Sequence, residues 1–77
     1  MQILISGEEV FRCYGKTMAV AATYADYTLR FSVDGENWTD YAETIPAGEN
    51  LIVNDLVQGI YLQLSGNTND NLIIRFS

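Results

Sequence analysis

Turn-forming residues divide this chain into pieces too short for ordinary helices. Gly7-Glu8, Gly15-Lys16, Asp34-Gly35, Pro46-Ala47-Gly48, Gln58-Gly59 and Gly66-Asn67-Thr68-Asn69-Asp70 recur at short intervals, and Gly, Pro, Asn and Asp are the residues that most readily reverse a backbone. Between them apolar and polar residues alternate with the period of a strand. In YTLRFSVD, Tyr27, Leu29, Phe31 and Val33 share one face and Thr28, Arg30, Ser32 and Asp34 the other, so the first set is expected in the core. Further strands are expected near 2–6, 9–14, 17–22, 38–45, 50–57, 60–65 and 71–76. KTMAVAATYADY is the one segment that tempts a helix assignment, because alanine favours helices. It has no 3.6-residue stripe and is read as strand. The expected fold is therefore all-β: one domain over residues 1–77, a small antiparallel β-sandwich, Ig-like or jelly-roll-like, of about seven or eight short strands.

A 77-residue chain hides only about 60% of its unfolded surface on folding, and such small domains are usually stapled by disulfides, a metal or association with other chains. Cys13 is the only cysteine and histidine is absent, which excludes an intrachain disulfide and an ordinary zinc site. Association is the staple that remains. Two late segments point the same way, since Leu51-Ile52-Val53 and Leu72-Ile73-Ile74 are apolar on both faces, whereas a sandwich has an interior for only one face of each sheet. Leu51, Ile52, Val53, Leu72, Ile73 and Ile74 are accordingly assigned to packing and interface together. The expected partners are further copies of the chain or a larger assembly.

Several chemistries are disfavoured. A net charge of −6 repels phosphate backbones, so nucleic acid binding is not expected; an acidic inhibitor that mimics nucleic acid toward a basic enzyme remains a minor alternative. Without histidine the usual general base is missing, and Asp34, Asp40 and Glu43 would need a substrate cleft that so small a core could hardly wall. No catalytic residue and no cofactor are therefore expected. Neither Asp34, Glu36 and Asn37 nor Asn67, Asn69 and Asp70 has the spacing of a calcium loop, and GKT at 15–17 lacks the glycine and strand-to-helix context of a phosphate loop. MQILISGEEV has no signal-peptide pattern, and no run reaches the ~18 apolar residues of a membrane span. Synthesis in the cytoplasm, with no membrane partner, is expected.

Sugar recognition is the main rival. Trp38, Tyr41 and Tyr61 could stack on pyranose faces while Asp34 and Asn37 bond hydroxyls. Alternation places Asp40 on the face of Trp38 and Tyr41 on the opposite one. A lone tryptophan in a small domain is otherwise expected in the core.

Ser32, Asp34, Gly35 and Trp38 resemble the Asp-box hairpin of sialidase-type propellers, a resemblance that implies a serine and an aspartate bracing a turn over tryptophan. SVDGENWTDY is also similar to the SxDGxxW segment of discoidin-type carbohydrate- and lipid-binding sandwiches, over this hairpin alone. Across most of its length the chain resembles the small all-β accessory proteins of tailed bacteriophages. It has an N-terminal strand ending in Gly7, the Asp34-Gly35…Trp38 hairpin, the IPAGEN turn and GIYLQLSGNT before a final strand. That resemblance implies capsid decoration or a head fibre, commonly a trimer, and a location in the virion.

Overall fold

The computed structural model of the protein describes residues 1–21, 25–66 and 71–77, the side chains of 42 and 43 excepted. Eight strands run through the described residues: β1 Gln2–Ser6, β2 Val10–Arg12, β3 Met18–Val20, β4 Tyr27–Ser32, β5 Thr39–Ile45, β6 Leu51–Val53, β7 Tyr61–Ser65 and β8 Asn71–Phe76. They form two four-stranded sheets, ordered β1-β8-β3-β6 and β2-β7-β4-β5, with every pairing antiparallel. The pairs 1·8, 2·7, 3·6 and 4·5 are nested, as in one long hairpin rolled into two layers. This is the jelly-roll arrangement, and it decides between the two sandwich types expected.

Each strand lies where turn punctuation and alternation place it, though several are shorter than expected. The segment expected over 50–57 pairs only at Leu51–Val53, and Leu56 and Val57 pass into the loop to β7. Of KTMAVAATYADY, Met18–Val20 is strand, while residues 22–24 lie outside the described part. At Gly7-Glu8 it is Glu8, not glycine, that takes the left-handed conformation, with φ 69°. Its carboxylate holds Gly66 N at 2.9 Å and accepts from the Ser65 hydroxyl, which ties the turn to the end of β7.

The core fills the space between the layers. From the first sheet come Ile5, Met18, Val20, Val53, Leu72, Ile74 and Phe76; from the second come Phe11, Tyr27, Leu29, Ile45, Leu62 and Leu64. Cys13 joins them and donates its thiol to Gly15 O at 3.0 Å, so the lone thiol acts as a small buried residue. The two ends of the chain meet in the first sheet, where Phe76 N donates to Met1 O at 2.7 Å.

Three core expectations are corrected, the first being Phe31, which is 37% exposed and outside the core cluster. Val33 continues the inward row of β4 in sequence but is 83% exposed, because the strand ends at Ser32 and the chain turns away. Trp38 is half-buried and outside the core cluster. Its ring lies beside Arg30, with the guanidinium carbon 5.5 Å from the ring centroid, on the outer side of the second sheet. The core is filled without it by Tyr27, which is 0% exposed.

Candidate functional site

The outer face of the β1-β8-β3-β6 sheet divides the six residues assigned to packing and interface. β8 has the burial pattern eBeBeB, so Leu72 and Ile74 point inward and Ile73 points out. In β6, Val53 is buried, Leu51 is half-buried against the core and Ile52 is 67% exposed. Strand register sets the outward residues beside one another. Leu4 lies directly opposite Ile73, and Ala21 N donates to Ile73 O at 3.2 Å just beyond β3. One row over, Gln2, Arg75, Ala19 and Ile52 stand side by side across all four strands.

The resulting surface has relief. Ala19 and Ala21 are too small to fill their positions, and they floor a groove of about 290 Å³ between Ile73 and Ile52. Arg75 borders it, and its Nε donates to Gln2 Oε1 on the neighbouring β1 at 3.1 Å. Leu4, outside the expected set, is as exposed as Ile52, at 67%. Its signal was present in the sequence: Ile3-Leu4-Ile5 is a third run of three apolar residues.

The second sheet presents a different outer face, made of arginines and rings. Arg12 sits over Tyr61, 4.2 Å from the ring centroid, and donates to its hydroxyl at 2.8 Å and to Gly59 O at 3.1 Å. Arg30 donates to Gln63 Oε1 at 3.0 Å, pairs with Asp40 at 3.2 Å and lies beside Trp38. Both guanidiniums thus occupy ring surface that a sugar would stack on. Being largely solvated, the Arg30–Asp40 pair adds little to stability.

The hairpin at 33–37 is a self-contained brace. Ser32, only 2% exposed, accepts from Gly35 N at 2.8 Å and donates to Asp34 Oδ1 at 2.9 Å. The same Oδ1 accepts from Glu36 N and Asn37 N, each at 2.8 Å, and Oδ2 accepts from Asn37 Nδ2 at 2.8 Å. These donors, the backbone N–H of Asn37 foremost and then that of Glu36, hold the Asp34 carboxyl well below the usual range. The carboxylate oxygens are engaged in closing the turn. Gly35, at φ +80°, brings its backbone to the ring of Tyr61, where an added Cβ would sit 3.5 Å from the ring edge.

Of the five residues expected as a glycan surface, four lie at the hairpin end and outer face of the second sheet, and Tyr41 is set apart from them. Asp34 and Asn37 bond each other, Trp38 and Tyr61 lie on the outer face, and Tyr41 lines a recess between the sheets. That recess, of about 210 Å³, is walled by β4, β5, β6 and the loop 54–60. Compared with protein families, curated proteins and solved structures, the chain matches none.

Proposed function

We propose that the chain is a non-enzymatic structural subunit that assembles through the outer face of the β1-β8-β3-β6 sheet, as a capsid decoration or head-fibre component of a bacteriophage virion. The observation that carries this reading is the set of exposed aliphatic side chains on this face, Ile73 and Ile52 on either side of the alanine-floored groove and Leu4 opposite Ile73. A contiguous apolar patch on a small monomer is characteristically a contact surface. Ile52 projects beside the groove, and in this reading the Ile52 of one copy enters the groove of another.

A sheet face that meets its own copy makes an isologous, two-fold contact. The simplest unit is then a dimer; the trimer implied by resemblance would need this face to meet a different surface of the next copy. Fully burying an aliphatic side chain yields about 1.5–3 kcal/mol. Scaled by exposures of 67%, 67% and 40% for Leu4, Ile52 and Ile73, a two-fold contact gains about 5–10 kcal/mol. Association itself costs about 4–15 kcal/mol. The contact is thus weak between free copies and effective at the local concentration of a shell, while the charge of −6 keeps free copies soluble. Jelly rolls are common among viral capsid domains, which supports the virion reading by analogy of fold.

The test is the molar mass by light scattering over a wide concentration range. The mass is expected to rise from 8.6 kDa toward its double, and a constant monomer would refute assembly through this face.

A further inference from the structure

The recess of about 210 Å³ between the sheets plays no part in the outer-face contact, and its lining is specific. Leu29, Val53 and Leu62 form its floor, each 1% exposed, so it reaches the core and draws on both sheets. Phe31 stands on the inward row of β4 yet is 37% exposed. It faces the recess, and it is left bare among the described residues.

Size and charge limit what fits. A dry apolar cavity of ~150 Å³ holds one benzene ring, and pockets for drug-sized ligands begin near 300 Å³. This recess accordingly takes one ring or one branched aliphatic group. Among the described residues its polar lining is confined to Tyr41, Asn54 and Asp55, and no basic residue borders it. The one charge among its described lining residues is the negative one of Asp55. An anionic ligand would meet Asp55 without a compensating cation, and a sugar would leave its hydroxyls against leucine and valine unpaired. A protonated amine on the ring would pair with the Asp55 carboxylate.

We propose that the recess between β4, β5 and the β6–β7 loop binds a small arylalkyl amine, the ring between Leu29, Phe31 and Leu62 and the ammonium on Asp55. Titration of the ¹⁵N-labelled protein with phenethylamine, 2-phenylethanol and 3-phenylpropionate tests it. The amine is expected to shift amide resonances of Leu29, Phe31, Tyr41 and Leu56, with the alcohol several-fold weaker and the acid weakest. Asp55→Asn is expected to erase the advantage of the amine over the alcohol while leaving ring binding intact. The variant keeps the fold, because Asp55 has φ 60° and Asn is among the residues that tolerate this conformation. Absence of clustered shifts with all three compounds, equal affinity for the three, or an amine preference that survives Asp55→Asn would each overturn the proposal.

Discussion

Ile52→Lys separates assembly from folding. Ile52 is 67% exposed and sits on β6, an edge strand of its sheet. Lysine is a usual residue at such edges and can carry its ammonium into water. The free monomer should therefore keep its stability to within about 0.5 kcal/mol, as surface substitutions do. In the proposed two-fold contact the exposed two thirds of Ile52 would be worth about 1–2 kcal/mol per copy, hence about 2–4 kcal/mol per dimer. At ~1.4 kcal/mol per tenfold, the dissociation constant should weaken by about 30- to 700-fold, before any repulsion between the new charges. Sedimentation velocity gives the constant, and urea denaturation of dilute protein gives the monomer stability. An unchanged constant would refute the placement of the interface. A monomer that loses several kcal/mol would refute the assignment of Ile52 to the outside.

Neighbouring positions on β8 should behave oppositely in dilute protein: Ile74→Ala, at a site 0% exposed, should cost about 2–5 kcal/mol, and Ile73→Ala well under half of that, both read from urea midpoints. For Asp34 the folded pKa is depressed, so its contribution is present above the ordinary value of 3.8 and lost as pH falls through the folded value. The stability gap between wild type and Asp34→Asn should therefore narrow on acidification from about pH 5 to about pH 2, and parallel profiles would contradict the turn brace. Gly15→Ala would place a Cβ 2.6 Å from Ser77 O, which Lys16 N and Thr17 N hold at 2.9 and 3.2 Å. A cost of about 1–3 kcal/mol is expected from such overpacking, with amide exchange quickened at Phe76 and Ser77.

The architecture was legible because strand period and turn chemistry are local signals. Gly15-Lys16, Asp34-Gly35 and Gln58-Gly59 all mark reversals between strands. Strand order was not legible, since β1·β8 and β3·β6 join residues far apart in the chain and alternation carries no information about neighbours. The runs of three apolar residues mark strands whose outward side chain is apolar and exposed. Parity within a strand then separates Ile73 from Leu72 and Ile74, once one buried member is known. Trp38 misled because size suggested core. Its parity with Asp40, and the pairing of Arg30 with Asp40 across the hairpin, put it on the wet face, but that pairing includes a register shift between Thr28 and Arg30 that the sequence does not disclose. The recess was invisible for a related reason. It depends on how the loop 54–60 crosses the gap between sheets, and no periodicity governs that path.

Copies of the chain are expected to meet across Leu4, Ile52 and Ile73, and methyl NMR on dilution reads that contact residue by residue. With Leu and Ile methyls labelled, dilution is expected to move the resonances of these three residues, while Leu29, Ile45 and Leu64, enclosed in the core, stay fixed. Concentration-dependent shifts confined to other methyls, or none at all across the range in which the mass changes, would contradict the account.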